Sequence, residues 1–329
     1  MPSALGLQQQ HTIQKKYSIM SASIVKVENL SHRYSVQWAV KDISFELTRN
    51  GIYGLLGSNG AGKSTIMNIM CGVLKQSQGE VYINGINMRE KPVAAKKHIG
   101  FLPQQPPLQM DLTVEEYLTH CANIRLMESS KVNGAVKEVM GKVGISHFNK
   151  RLIRNLSGGY QQRVGIAQAI IHKPGFVVLD EPTNGLDPNQ ILEVRNLIKE
   201  IAEERTVVLS THILQEVQAL CDNIWMINDG SLVFSGALDE FDNYIMPTSL
   251  AVSLMAPPAA EDLKAIQGVT GVEELGGIRF RIQFAHNAHD VIERIVETSV
   301  ARQWRLIEIA LEKNSLETVF AELTKRKLN

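Results

Sequence analysis

A glycine-rich segment lies between a short apolar run and a helix-like pattern, and it limits the possible folds of this chain more than any other segment. Residues 54–65 read Gly-Leu-Leu-Gly-Ser-Asn-Gly-Ala-Gly-Lys-Ser-Thr. The apolar run at 52–56 is typical of a buried strand, and residues 66–74 carry apolar side chains at helical spacing. The segment therefore lies where a strand turns into the N-terminus of a helix, which is the context of a phosphate-binding loop.

The residue types in this segment fit a nucleoside triphosphate. Because Gly57, Gly60 and Gly62 lack a Cβ, the backbone can turn tightly and its N–H groups can close on an anion. Lys63 would reach the β- and γ-phosphates, and the Ser64 hydroxyl would ligate Mg²⁺. The alternative, a glycine-rich turn with a chance lysine, does not account for the flanking strand and helix. The segment thus predicts an α/β domain of the P-loop class.

Composition places this loop in a charge-balanced globular chain. The 329 residues suffice for one large and one small domain, and Lys+Arg equals Asp+Glu at 34 each, so no net field would gather nucleic acid. No stretch approaches the roughly 20 apolar residues of a membrane span. The three cysteines lack C-x-x-C spacing and predict packed thiols. We expect residues 1–22 to form a disordered tail, with Met20 as an alternative start.

Three further apolar runs each end in polar residues, as buried strands do when they deliver side chains to one edge of a sheet. Asp180 could hold Mg²⁺ through water, and Glu181 could take a proton from an attacking water. Gln104 and His212, taken singly, are as typical of ordinary loops, but their convergence on one edge favours a place in the site. The runs are 99–102 with Gln104, 176–179 with Asp180 and Glu181, and 206–209 with His212.

Two other segments leave alternatives open. Ahead of the loop, the sequence predicts a turn at 31–34 between strands at 24–27 and 40–47. Tyr34, at this strand-edge turn, could stack on a nucleobase, although an exposed strand tyrosine explains it as well. Ser157, Gly158 and Gly159 precede a helical pattern and could form a second anion-binding nest or an ordinary N-cap turn. The stretch from about 105 to 163 is mainly helical in pattern and predicts a helical subdomain inserted into the sheet domain.

Assembled in this order, the motifs resemble the ATP-binding subunits of ABC transporters over residues 24–240. The resemblance implies ATP as ligand, Mg²⁺ as cofactor, a mixed-sheet ATPase domain with a helical subdomain, and hydrolysis of ATP to ADP and phosphate. The roles that it implies are adenine stacking for Tyr34; phosphate binding for the Walker A residues Gly57, Ser58, Asn59, Gly60, Ala61, Gly62, Lys63, Ser64 and Thr65; Mg²⁺ contact for Ser64, Gln104 and the Walker B residue Asp180; catalysis for Glu181, His212 and Gln104; and, for the signature residues Ser157, Gly158 and Gly159, capping of the ATP of a second subunit.

The resemblance also implies partners and location. In the family two subunits pair head to tail, as a homodimer or with a related ATPase subunit, and drive a separate transmembrane permease from the cytoplasmic side of the inner membrane. We expect this arrangement here, with no nucleic acid partner. One departure is Tyr160, which stands where the family usually has Gln at the fifth signature position. Together with an appended C-terminal domain, Tyr160 favours export; the transported substrate is not encoded in this chain.

Two other functions of such a cassette fit the sequence less well. A soluble ABC-type ATPase acting as a mechanochemical switch would carry two cassettes, as in the translation type, or a long coiled coil between loop and signature, as in the chromosome type. Here the signature occurs once, and Lys63 and Ser157 lie close in sequence. A non-catalytic ATP-binding scaffold would not need both Glu181 and His212.

The C-terminal segment predicts a second, smaller domain. After a main domain at 23–245, residues 246–329 read as strand, helix, strand, strand, helix, strand, and 278–284 alternate apolar with other residues. This order predicts an α+β ferredoxin-like domain. It carries no cluster of His, Cys or paired acids, so a dimer-stabilising or regulatory role is favoured. Its closing residues, 315–320, are similar to the end of drug-export and gliding-motility ATPase subunits.

Overall fold

The computed structural model of the protein describes residues 23–242, 244, 248–285, 288–312 and 316–325. The chain separates into two compact units, of which the second begins at Ala237. The expected tail at 1–22 lies outside the described residues. The domain limits derived from the sequence therefore stay predictions.

The first unit combines strands and helices, as the sequence pattern predicts, and three α-helices follow one another between the strands Ile99–Leu102 and Phe176–Asp180. In chain order its elements are β1 (Val25–Tyr34), β2 (Gln37–Leu47), β3 (Gly51–Leu56), α1 (Lys63–Met70), β4 (Gln78–Ile83), β5 (Ile86–Asn87), α2 (Pro92–Lys96), β6 (Ile99–Leu102), α3 (Val114–Ile124), α4 (Ser129–Lys142), α5 (Gly158–Ile170), β7 (Phe176–Asp180), α6 (Pro188–Ala202), β8 (Thr206–Thr211), α7 (Leu214–Leu220), β9 (Asn223–Asn228) and β10 (Ser231–Ala237).

A 6-stranded sheet with the order β10-β9-β3-β8-β7-β6 organises this unit. β3 pairs in parallel with β8 and β9, and β7 pairs in parallel with β8 and β6. Every residue of β7 and β8 is buried, which is why both strands read as continuous apolar runs. The carboxyl ends of β3, β6, β7 and β8 consequently meet at one edge, as predicted.

A second sheet, with the order β2-β1-β4-β5, corrects one sequence prediction. The sequence predicts a strand at 24–27 followed by a turn at 31–34, but β1 is continuous through Tyr34 and pairs antiparallel with both β2 and β4. Its register shifts between Val27 and Leu30, and Asn29 has a φ of 48°. Because partner strands lie on both sides, the turn-forming residues make a bulge instead of ending the strand.

The predicted helical subdomain is built from α3, α4 and α5, which pack against one another. Thr113 caps α3 with the capping box that its spacing from Glu116 predicts. The Thr113 hydroxyl accepts a hydrogen bond from Glu116 N at 3.3 Å, and the Glu116 carboxylate accepts one from Thr113 N at 2.8 Å. Short 3-10 turns at Ser146–Phe148 and Ile153–Asn155 lead from α4 into α5.

The second unit has the βαββαβ order that the sequence predicts, which is that of a ferredoxin-like domain. Its four strands form one antiparallel sheet with the order β12-β13-β11-β14. Its core includes Leu250, Val252, Phe280 and Ile282. The elements are α8 (Leu238–Asp242), β11 (Ser249–Leu254), α9 (Ala260–Lys264), β12 (Val269–Gly276), β13 (Arg279–Phe284), α10 (Ala288–Ala301), β14 (Leu306–Leu311) and α11 (Leu316–Lys325).

Candidate active site

The phosphate loop joins β3 to α1 in a backbone conformation that requires glycine. Gly60 and Gly62 have φ values of 82° and 109°. A Cβ on Gly62 would lie 2.6 Å from the Ala39 carbonyl oxygen, and a Cβ on Gly57 would lie 2.5 Å from that of Ile227. The loop is thus packed against neighbouring backbone on its inner side, while Ser58, Asn59, Gly60 and Ser64 are exposed and free to face a ligand.

Lys63 lies at the floor of the site with its ammonium group held by the loop. The residue is only 6% exposed, and its Nζ donates hydrogen bonds to the carbonyl oxygens of Gly57 at 2.8 Å and Ser58 at 3.0 Å. Burial lowers the pKa of Lys63, and the nearby carboxylates of Glu181 and Asp180 oppose that shift. A buried ammonium with carbonyl partners is preorganised to exchange them for phosphate oxygens.

At the end of β7, one hydroxyl holds the two acids in place. Asp180 is 5% exposed and accepts a short hydrogen bond from the Ser210 hydroxyl on β8. The same hydroxyl accepts a hydrogen bond from Glu181 N at 3.1 Å. Glu181 has a φ of 48°, a conformation that is uncommon outside glycine and is often found at functional sites. The chain turns there so that the two neighbouring carboxylates face different surroundings.

Three donors surround the Glu181 carboxylate. Gln104 Nε2 and Asn184 Nδ2 donate to its Oε2 at 2.7 and 3.1 Å, and His212 Nδ1 lies 2.9 Å from its Oε1. The structure therefore brings together Gln104, Glu181 and His212, which the sequence assigned to one edge of the sheet. The Glu181 side chain is 11% exposed and that of His212 is 42% exposed, so the cluster opens to solvent on the histidine side.

An open cavity of about 1070 Å³ connects these groups with the phosphate loop. Tyr34, the last residue of β1, also borders it; the side chain is 52% exposed and its ring meets that of His32 edge to face at 4.7 Å. Tyr34 is therefore both an exposed strand tyrosine and a side chain at the cavity, and its stacking role stays a prediction. The sequence-predicted residues that line the cavity are Tyr34, Asn59, Gly60, Gly62, Lys63, Ser64, Thr65, Gln104, Glu181 and His212.

Several residues of this site were not predicted from the sequence. Asn184 and Ser210 hold the two acids, and Trp38, Lys41 and Asp229 border the cavity. A signal existed for Ser210, because it begins the polar group Ser210-Thr211-His212 at the end of the apolar run 206–209. Trp38 lies in the hairpin of β1 and β2, where it pairs with Arg33, the residue before Tyr34. Its place close to Tyr34 in this hairpin is the signal that could have identified it.

The signature residues do not line this cavity. Ser157 is the N-cap of α5 and makes no side-chain capping hydrogen bond, and both Ser157 and Gly158 are exposed. Gly159 is buried, and a Cβ there would lie 2.6 Å from the side chain of Gln190. Within one copy of the chain, the predicted second anion-binding nest is therefore a surface feature that lies apart from the phosphate loop.

Tyr160, the departure in the signature, takes part in an aromatic cluster. Its ring contacts Phe148 edge to face at 4.7 Å between centroids and His147 at 6.0 Å, and the Arg163 guanidinium lies 5.8 Å from its centre. The tyrosine thus ties the start of α5 to the Ser146–Phe148 turn. This packing accounts for an aromatic residue at the position without involving the exposed Ser157 and Gly158.

The donor groups at the site fit Mg²⁺. Among the described residues, no group of three or more His, Cys, Asp or Glu side chains could hold a metal unaided. Ser64 and Asp180 supply hard oxygen donors, and the amide oxygen of Gln104 is left available because its nitrogen bonds to Glu181. Mg²⁺ is typically held by one or two carboxylates together with substrate phosphates, so a sparse oxygen set beside a phosphate loop suits it.

In the part of the chain that the structure describes, no helix has both the length and the apolar character needed to cross a membrane.

Comparisons with known proteins agree with the geometry. Residues 40–184 match the family model described as ABC transporter. The chain is 30% identical over 312 residues to the linearmycin resistance ATP-binding protein LnrL of Bacillus subtilis, covering 93% of this chain and 99% of that protein. It is 37% identical over 214 residues to the bacitracin transport ATP-binding protein BcrA of Bacillus licheniformis, covering 64% of this chain and 69% of that protein.

Among solved structures, similarity extends to a dimer of the ATP-binding cassette MJ0796 in a post-hydrolysis state, bound to ADP and Pi. The TM-score is 0.60 at 27% identity, over 65% of this chain and 98% of that chain. The fold, the order of the motifs and the near full-length match to LnrL lead to one conclusion: this chain belongs to the family of ABC transporter ATP-binding subunits.

Proposed function

We propose that this chain hydrolyses ATP to ADP and phosphate and that its hydrolysis drives a separate transmembrane permease. The observation that carries the proposal is the shared cavity onto which the Lys63 loop and the Gln104–Glu181–His212 cluster open. A phosphate-binding loop and a carboxylate held by three donors are the two parts that nucleotide hydrolysis requires.

The phosphate loop and Tyr34 bind the nucleotide. The Lys63 ammonium exchanges its two carbonyl partners for oxygens of the β- and γ-phosphates, and the loop N–H groups and the start of α1 complete the cradle. Tyr34 offers an exposed ring for the adenine. Mg²⁺, held by Ser64, Asp180 and Gln104, would neutralise charge on the phosphates.

Glu181 acts as the general base for hydrolysis. It takes a proton from the attacking water as the water oxygen bonds to the γ-phosphorus, and the bond from that phosphorus to the bridging oxygen of ADP breaks. Gln104 and Asn184 fix one carboxylate oxygen, and His212 faces the other. Because His212 is 42% exposed, it can also turn toward a γ-phosphate in the cavity.

Two copies of the chain form the working unit. The supporting observation is that Ser157 and Gly158 are exposed at the start of α5 and lie apart from the cavity of their own copy. The N–H groups at this helix start suit an anion, so a head-to-tail pairing would place them on the ATP held by the phosphate loop of the second copy. Hydrolysis then loosens the pair, because the γ-phosphate that both copies hold is lost.

The permease would dock in a groove of about 750 Å³ beside α3. Its rim carries exposed apolar side chains, with Val93 67%, Ile124 65% and Leu126 76% exposed. The groove residues that the structure describes include Lys96, Lys97 and Arg125 but no Asp or Glu. An apolar segment of the permease that also carries a carboxylate complements this lining, and it would hold the chain at the cytoplasmic face of the membrane.

Export is the direction that we propose. The relatives LnrL and BcrA are named for linearmycin resistance and for bacitracin transport. The match to LnrL extends over 93% of this chain, so it includes much of the second unit as well as the ATPase unit.

Purification of the tagged chain from membranes tests the coupling to a permease. Val93→Asp places a carboxylate in the groove, and Val300→Asp makes the same change at an exposed position on α10, where Val300 is 75% exposed. We expect a multi-span membrane protein to co-purify with the wild type and with Val300→Asp but not with Val93→Asp. A chain that hydrolyses ATP yet brings down no membrane protein in several detergents contradicts the transport role.

A further inference from the structure

A buried carboxylate lies beneath the catalytic edge, and the reaction described above does not use it. Glu216, on α7, is 2% exposed. Glutamate is rarely buried to this extent unless its charge is paired and hydrogen-bonded, because removing an unpaired carboxylate from water is strongly unfavourable. The groups that bond to Glu216 therefore indicate which part of the structure the buried carboxylate holds in place.

Two buried threonine hydroxyls and one arginine satisfy the Glu216 carboxylate. Thr183 donates a short hydrogen bond to Oε1, and Thr211 donates to Oε2 at 2.8 Å. Arg195 on α6 lies 3.9 Å from Oε1 through its Nη2 atom. Thr183 and Thr211 are 4% and 2% exposed, so both bonds are shielded from water.

Each threonine lies within two positions, in sequence, of a residue of the Gln104–Glu181–His212 cluster. Thr183 follows Glu181 by two positions, and Thr211 directly precedes His212. The Thr211 hydroxyl also accepts a hydrogen bond from Ile213 N at 3.0 Å, which leaves its own proton for Glu216. One carboxylate thus joins the segment after β7 to the end of β8, and neither it nor the two threonines line the cavity.

The segment that carries Glu181 is held from a second direction as well. Gln162, on α5, is 8% exposed and donates from its Nε2 to the Pro182 carbonyl oxygen at 2.7 Å. Pro182 lies between Glu181 and Thr183, so contacts from α5 and α7 meet on adjacent residues. Glu181 depends on such support because its backbone has a φ of 48°.

We propose that Glu216 is a positioning residue for ATP hydrolysis, which sets the distance between Glu181 and His212 by holding Thr183 and Thr211. The inference rests on the proposed ATPase function. Nucleotide binding and catalysis then depend on different contacts. The phosphate loop, whose carbonyl oxygens hold Lys63, binds the nucleotide. The Glu216 contacts fix Glu181 relative to His212. Loss of these contacts therefore lowers kcat and leaves nucleotide affinity in place.

Threonine variants test the inference more cleanly than changes at Glu216, because they keep the buried charge of Glu216 opposite Arg195. Thr183→Val and Thr211→Val remove the hydroxyl while keeping the side-chain shape, and Thr183→Ser and Thr211→Ser keep the hydroxyl. Thr270→Val makes the same substitution at an exposed position of β12 in the second unit and serves as the matched control. The measurements on the full-length chain are kcat for ATP hydrolysis, Kd for ADP and the melting temperature.

We expect each valine variant at 183 and 211 to lower kcat at least about tenfold, since a small misplacement of catalytic groups has large effects on rate. Kd for ADP should stay within about twofold, because nucleotide binding does not draw on these contacts. The serine variants should restore most of kcat, and Thr270→Val should match the wild type. When Thr183→Val or Thr211→Val is added to Glu216→Gln, kcat should fall by less than when the same change is made in the wild type. The hydrogen bonds from the threonine to residue 216 are already weakened in Glu216→Gln.

Two results overturn the inference. If the wild type hydrolyses ATP and the valine variants keep its kcat per folded molecule, or lose kcat and ADP affinity together, Glu216 does not position the catalytic pair. If the wild type binds ATP without hydrolysing it, the proposed function fails and the inference fails with it. The serine and Thr270→Val measurements distinguish loss of the hydroxyl from a general effect of substituting threonine.

Discussion

His172 makes the stability of the ATPase unit depend on pH in a way that the structure allows us to work out. Its Nε2 lies 3.0 Å from the Ile99 carbonyl oxygen, while Nδ1 is buried and has no hydrogen-bond partner among the described residues. Burial lowers the pKa of His172 from an ordinary 6.5 to about 4, and the positive charges of Arg125 and Arg205 add to this effect. The neutral ring fits the site, and the charged ring does not.

The direction of the effect follows from the two pKa values. Between pH 6.5 and about 4, the unfolded chain binds the proton at this residue and the folded chain does not, so the free energy of unfolding rises with pH. The contribution is complete above pH 6.5 and is lost as pH falls through the folded pKa. The difference between the two pKa values corresponds to about 3 kcal/mol in total, of which about 2 kcal/mol is lost between pH 7 and pH 5.

Urea unfolding at pH 7 and pH 5 measures this contribution when the wild type is compared with His172→Gln. The glutamine amide can still donate to the Ile99 carbonyl but does not titrate. Trp304→Phe in both proteins confines the tryptophan signal to the first unit, since Trp304 belongs to the second. We expect the wild type to lose about 2 kcal/mol more than His172→Gln between the two pH values. Parallel losses in the two proteins would refute the assignment of the effect to His172.

Three further predictions concern the nucleotide site. Lys63→Ala should raise Kd for ATP at least about 100-fold, because a buried phosphate charge loses its cation; an unchanged Kd by calorimetry would contradict this. Tyr34→Ala should raise Kd for ATP about 5- to 150-fold, in line with about 1–3 kcal/mol for stacking on a base, whereas Tyr34→Phe should not. Gly62→Ala should lower the melting temperature and weaken ADP binding, since its φ is 109° and its Cβ would lie 2.6 Å from the Ala39 oxygen; a fully stable variant with normal ADP affinity would argue against this loop geometry.

The parts of the site that depend on secondary structure were predictable from sequence. The apolar runs that form β6, β7 and β8 have the length of buried strands, and each run is followed by polar residues. This pattern indicates buried parallel strands. Once the strands are parallel, their carboxyl ends must share an edge. That places Gln104, Glu181 and His212 on one edge, and the neighbouring order β8-β7-β6 then brings them into contact.

The contacts that depend on the packing of side chains were not predictable in the same way. The hydrogen bonds of Ser210 to both acids require β7 and β8 to be neighbours in a particular register, which the sequence does not specify. The contacts of Glu216 with Thr183 and Thr211 join α7 to the end of β8 and to the segment after β7, and no local pattern marks them. The continuity of β1 through Asn29 was missed because partner strands on both sides override the local turn preference.

The ATPase rate and the assembly state of Glu181→Gln test whether Glu181 is the base for hydrolysis in an ATP-bound dimer. The measurement combines the ATPase rate with sedimentation of the full-length chain in the presence of ATP, for the wild type and the variant. We expect the variant to bind ATP, to hydrolyse it about 100-fold or more slowly because an amide cannot accept the proton, and to sediment as a dimer that forms only with ATP. A variant that hydrolyses ATP at the wild-type rate, or that stays monomeric with ATP bound, would contradict the account.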